Sequence, residues 1–144
     1  MAVHFHYTDI TPFKWKVIPI KKWLESIAVQ EHFKIENLSY VFCTDAYLIE
    51  LNIKYLDHNT YTDILTFDYS EQPESKRLEG EIYISIDRVR ENATLFKTTF
   101  ESELSRVLAH GLLHLIGYKD KNPEEQQMMR AKENYYIAST PICQ

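Results

Sequence analysis

Ala109-His110-Gly111-Leu112-Leu113-His114-Leu115-Ile116-Gly117-Tyr118-Lys119-Asp120-Lys121 is the stretch around which the chain is organised. His110 and His114 stand four residues apart in an apolar run. On a helix both imidazoles leave one side about one turn apart, which is a chelate geometry. Gly117 permits the left-handed turn that ends a helix, and the chain can then fold back to bring Asp120 toward the histidines as a third ligand. Three protein ligands with no obvious fourth describe a site that keeps a position open for water, unlike a closed structural site. A histidine pair at this spacing is weak evidence in a chain with six histidines, and Gly117 and Asp120 supply the specificity.

Upstream, Leu104, Val107, Leu108, Leu112, Leu115 and Ile116 recur with helical period and predict one long helix over residues 100–116. Working outward, residues 80–86 alternate Ile82, Ile84 and Ile86 with Tyr83 and Ser85 and read as a strand, followed by a short helix over 88–96 with Asp87 placed to cap it. Residues 64–69 are a further strand, with Leu65 and Phe67 on one face and Thr66 and Asp68 on the other. Between these strands, residues 70–79 contain Pro73 and mostly polar groups and read as a flexible connection. Before them come a strand over 3–7, a helix from Ile20 to about Phe33, a strand over 37–43, and a helix capped by Thr44 or Asp45 that ends near Asp57. That helix is expected to bury Leu48, Leu51, Ile53, Tyr55 and Leu56. After the metal motif, Asn122 as cap, Pro123 in the first turn, and Glu124 and Glu125 at the positive dipole end start a last helix that runs to about Tyr136. The order βαβαββααα predicts an α+β fold, sandwich-like, with helices packed across a sheet.

The length of 144 residues and 44% hydrophobic content fit a single domain over 1–144 with a substantial core. Two cysteines, Cys43 and Cys143, no charged-then-apolar leader and no apolar run long enough for a membrane span lead us to expect a cytoplasmic protein without a membrane partner. The net charge of −5 is unevenly spread: residues 36–81 hold ten acids against three bases, the first 35 residues carry +2, and the remainder balances. Lys14, Lys16, Lys21 and Lys22 could still meet phosphate, although a solvated helix face is the ordinary role of such a run. His4, His6, His32 and His58 are expected to be dispensable for metal.

Three ordered motifs then carry a resemblance. They are Leu51-Asn52 to Tyr55 with Thr62-Asp63-Ile64-Leu65-Thr66-Phe67, then Gly80-Glu81-Ile82-Tyr83-Ile84-Ser85, then His110 through Tyr118. Through most of its length the chain resembles the YbeY family of rRNA-maturation endoribonucleases. The resemblance implies a zincin-like fold with a mixed four-stranded sheet, cleavage of single-stranded RNA, not DNA, and action on the 3′ end of small-subunit rRNA and in ribosome quality control. It thereby implies the ribosomal small subunit as a partner. Two positions depart from the usual pattern. Asp120 stands where members commonly have a third histidine, and Leu56 where they often have an arginine that assists catalysis. Asp120 remains a competent zinc ligand, and the carboxylate leaves the metal less positive than three neutral histidines would.

One Zn2+ per chain, or another divalent metal, held by His110, His114 and Asp120 would polarise a phosphoryl oxygen, and a metal-bound water would be the nucleophile or base. Arg106 precedes His110 by four residues and is a catalytic candidate on the metal face. Lys54 is a candidate for phosphate, and Asp63 and Thr66 are groove candidates by family position. The rivals are a metzincin-like zinc peptidase, a non-catalytic metal-stabilised ribosome-assembly factor, and an iron oxygenase with two histidines and a carboxylate. The peptidase lacks its base, because Gly111 occupies the position that chemistry gives to Glu.

Overall fold

The computed structural model describes residues 2–56 and 64–141. Thr62, the candidate Asp63, His58 and Cys143 lie outside the described residues. In chain order the elements are β1 (Val3–Tyr7), α1 (Val17–Gln30), β2 (Lys34–Cys43), α2 (Asp45–Leu56), β3 (Ile64–Asp68), β4 (Arg77–Ser85), α3 (Ile86–Leu95), α4 (Phe100–Ile116) and α5 (Pro123–Ile137), with a 3-10 turn at Pro73–Ser75. This is the α+β order read from the sequence. The four strands form one mixed sheet in the order β1-β2-β4-β3. β1, β2 and β4 are parallel, and β3 lies antiparallel to β4 on the edge.

The alternation along the strands divides the core between the two faces. Leu38, Tyr40 and Phe42 of β2 with Ile82 and Ile84 of β4 pack under Ile20, Leu24 and Ile27 of α1 and Leu104, Leu108 and Leu112 of α4. On the opposite face Cys43, Leu48 and Leu65 form a smaller cluster beneath α2, with Phe67 and Tyr83 against it. Each fully buried leucine of α4 contributes about 1.5–3 kcal/mol over an exposed one, which makes the helix carrying the two histidines one of the best anchored in the molecule.

Several boundaries differ from the sequence expectations. α1 starts at Val17, with Pro19 tolerated in its first turn, and ends before Phe33. β2 begins at Lys34 and β4 at Arg77, so the last part of the expected connection is strand: Lys34 and Ile35 pair with Arg77 and Leu78. Ser85, not Asp87, caps α3, its hydroxyl accepting from Arg88 N, while Asp87 accepts from Asp45 N at 2.9 Å. Thr44 caps α2 by accepting from Tyr47 N. Ile53 and Tyr55 of α2 are exposed and Asn52 is buried, because only one side of this helix meets the sheet.

Three contacts place α4 for its task. The buried Tyr40 hydroxyl donates to the Leu108 carbonyl at 2.8 Å, tying the sheet to the helix two residues before His110. Gly111 lets the helix lie close against the sheet, since a Cβ there would stand 2.9 Å from Ile64 Cδ1 and 3.0 Å from Ile82. Gly117, with φ of 131°, ends the helix in a conformation that suits glycine.

Candidate metal centre

α4 and the segment after Gly117 bring His110, His114 and Asp120 together, as their spacing anticipates. His110 Nε2 lies 3.0 Å from His114 Nε2, and Asp120 Oδ2 lies 3.3 Å from each. A tetrahedral cation with ligand bonds of about 2.0–2.1 Å separates its ligand atoms by about 3.3 Å. The three atoms therefore fit one small divalent ion. All three side chains are partly open to solvent, so the group could hold a metal ion with a face left free.

The far nitrogen of each ring explains which one points inward. His110 Nδ1 donates to Glu133 Oε2 at 2.6 Å, and His114 Nδ1 donates to the Tyr118 carbonyl at 3.0 Å. With the proton held on Nδ1 by these acceptors, each Nε2 presents a lone pair to the centre. Three acceptors thus converge, an arrangement that a cation relieves.

Glu133 on α5 was not visible as a site residue in the sequence. Its side chain is 6% exposed, and its carboxylate also accepts from Arg106 Nη1 at 2.8 Å. Burial alone would raise its pKa, but the bonds from His110 and Arg106 outweigh that and hold it below the ordinary value. One signal was available: Met129, Glu133 and Tyr136 share the buried face of α5, so an acid stands at a core position. The expected cap of this helix is present as a full capping box between Asn122 and Glu125, which also fixes the end of the segment carrying Asp120.

A second polar cluster supports that segment. Tyr118 Oη donates to Glu31 Oε1 at 2.6 Å, Lys132 Nζ donates to Glu31 Oε2 at 3.0 Å, and Tyr136 Oη donates to the same carboxylate. Burial pushes Glu31 up, and the three donors more than offset it, leaving its pKa lowered. The same residue whose carbonyl orients His114 is therefore pinned through its side chain to the end of α1.

The other candidates fall as follows. Arg106 is on the metal face of α4, but its guanidinium is engaged by Glu133 and, at 2.9 Å, by Asn134 Oδ1. Thr66, paired with Ile82, lies on the sheet face that α4 covers. Lys54 belongs to α2 on the opposite face, its ammonium 5.3 Å from the Tyr55 ring centre. His4 and His6 are exposed on β1, and His32 sits in the turn after α1 with φ of 68°. Cys43 is buried, and burial with nearby Asp9, Asp87 and Asp45 pushes its thiol up to about 12, which suits a core residue and not a nucleophile. Two cavities, of about 590 and 630 Å3, meet at His110 and share Arg130 and Glu133 in their walls. No helix among the described residues is long and apolar enough to cross a membrane.

Comparison with known proteins places relatives beside this geometry. Residues 7–140 match the family model described as endoribonuclease YbeY. An endoribonuclease YbeY from Cytophaga hutchinsonii is 56% identical over 115 residues, covering 80% of this chain and 79% of that protein. One from Parabacteroides distasonis is 39% identical over 141 residues, covering 98% of this chain and 97% of its own length. The solution structure of TM1509 from Thermotoga maritima superposes with a TM-score of 0.63 at 27% identity, covering 94% of this chain and 86% of that one.

Proposed function

The chain belongs to the YbeY family of endoribonucleases, and from that premise we propose that His110, His114 and Asp120 form the metal site at which it cleaves unpaired RNA. The observation that supports this reading is the convergence of two Nε2 atoms and one carboxylate oxygen at tetrahedral spacing on a partly open surface. A nitrogen-rich set with one carboxylate suits zinc and admits manganese or another divalent ion. When bound, such an ion polarises a phosphoryl oxygen and makes water a usable nucleophile near neutral pH. The chain's own residues hold the arrangement: Glu133 fixes the ring of His110, the Tyr118 carbonyl fixes that of His114, and Arg106 fixes Glu133. The substrate is small-subunit rRNA near its 3′ end, met in the cytoplasm on the ribosomal small subunit, as the family resemblance implies. An unpaired strand can bring its phosphate onto so shallow a site where a duplex cannot.

Gly111 argues against a peptidase. The base of that chemistry follows the first ligand, and here the position is a glycine packed against the Ile64 and Ile82 side chains, which would have to shift to admit any side chain. Cleavage of matched single-stranded and double-stranded RNA and single-stranded DNA, with zinc or manganese and then with chelator, tests the proposal. Cutting confined to single-stranded RNA and lost with chelator is expected. Undiminished cutting in chelator would overturn the metal site, and equal cutting of the duplex would overturn the strand preference. An intact substrate under every condition would leave a non-catalytic assembly factor.

A further inference from the structure

With Leu56 at the family's arginine position and Arg106 committed to Glu133 and Asn134, the charge of an incoming phosphate needs another partner. Arg130 lies on α5 three residues before Glu133, so the two share a helix face, and it lines both cavities that meet at His110. It is exposed, and among the described residues it makes no salt bridge. The acids around it are Asp120 and Glu133, both engaged at the candidate centre, with Glu103 in one cavity and Glu124 in the other. Within these walls Arg130 is the guanidinium left to face a phosphodiester. The first cavity is lined as well by Phe96, 61% exposed, and by the neutral side chains of Asn92, Thr98 and Ser102. The second cavity is lined by Gln126 and Gln127 beside Arg130. A central cation, an open aromatic ring to one side and neutral amides and hydroxyls along the walls are what a single strand requires: charge for its backbone, a platform for a base and partners for base edges.

We propose that the two cavities form one groove for single-stranded RNA across α4 and α5, in which Arg130 holds the phosphate beside the metal site and Phe96 stacks a base. The groove rests on the ribonuclease reading above. Such a groove favours an unpaired strand, because a paired base cannot reach Phe96 without leaving its stack.

The test measures binding of a fluorescent 2′-O-methyl oligonucleotide, checked as intact afterwards, to zinc-loaded wild type, Arg130→Gln, Arg130→Lys, Phe96→Ala and Lys34→Gln across a salt series. Single-turnover cleavage of unmodified RNA is measured alongside. Lys34 is an exposed lysine of β2 that lines neither cavity. Arg130→Gln should lower the slope of log affinity against log salt by about 0.7, the value for one lost phosphate contact on a single strand. Phe96→Ala should weaken binding about tenfold with the slope unchanged, the mark of a lost stacking contact. Arg130→Lys should restore the slope, and Lys34→Gln should match wild type. Wild-type affinity and slope in both Arg130→Gln and Phe96→Ala would overturn the groove. Wild type that binds the strand but cuts no RNA would overturn the ribonuclease reading, leaving the groove to be judged by the binding of the variants.

Discussion

Replacing Glu133 by Gln probes whether the candidate centre depends on how its first histidine is held. The native carboxylate gives one oxygen to His110 Nδ1 at 2.6 Å and the other to Arg106 Nη1 at 2.8 Å, in a side chain only 6% exposed. Glutamine offers one acceptor oxygen and one NH2, so in either orientation one of the two N–H donors faces another donor. If the amide turns its oxygen to Arg106, His110 loses the acceptor that keeps its proton on Nδ1, and Nε2 is no longer held as a lone pair. If it turns to His110, Arg106 keeps only Asn134. Loss of one charge-assisted bond corresponds to about 1.5–3 kcal/mol in the metal-free protein, toward the lower end because Arg106 reaches solvent. Loss of an outer partner of a ligating histidine weakens metal binding about 10- to 100-fold. Chelator competition at neutral pH reads the affinity, and thermal melting in chelator reads the fold separately. Wild-type zinc affinity in Glu133→Gln would show that His110 needs no such partner and would refute the reasoning.

Asp120→Ala should lose zinc affinity in the same competition assay, whereas Asp120→His should retain it, move the activity profile to lower pH, and lower the activity with manganese relative to zinc; unchanged profiles in both variants would exclude Asp120 as a ligand. Glu31 has its folded pKa below the ordinary 4.5, so its contribution to stability is complete above that value and is lost as pH falls through the lowered folded value. In chelator, the stability difference between wild type and Glu31→Gln from urea unfolding should thus be constant near neutrality and shrink as the solution is acidified below about pH 4.5. Gly117→Ala meets no atom but must adopt a φ of 131°, and it should cost about 1–3 kcal/mol or shift the segment bearing Asp120, which melting and zinc affinity together detect. Tyr40→Phe removes the hydroxyl that donates to the Leu108 carbonyl and should cost about 0.5–1.5 kcal/mol in chemical unfolding.

The sequence by itself determined what depends on neighbours within a turn or two. The apolar period of α4 set its span from Phe100 to Ile116, Gly117 set its end, and Asn122 with Pro123 and Glu125 set the start of α5. The same local rules put His110 and His114 on one side of a helix and returned the chain toward them at Asp120, and the alternation of apolar residues located the four strands but not their order in the sheet. Only the tertiary structure decided what depends on partners distant in the chain. Arg77 and Leu78 are polar-flanked and read as connection, yet they are strand because β2 lies alongside to take their backbone hydrogen bonds. Ile53 and Tyr55 look like core residues, yet they face solvent because α2 meets the sheet on a single side. Glu133 reaches His110 across 23 residues and Glu31 reaches Tyr118 across 87, and no periodicity encodes either bond. The reason is physical: a helix or a cap is closed by groups a few residues apart, whereas the partner of a buried charge is whatever packing brings within about 3 Å.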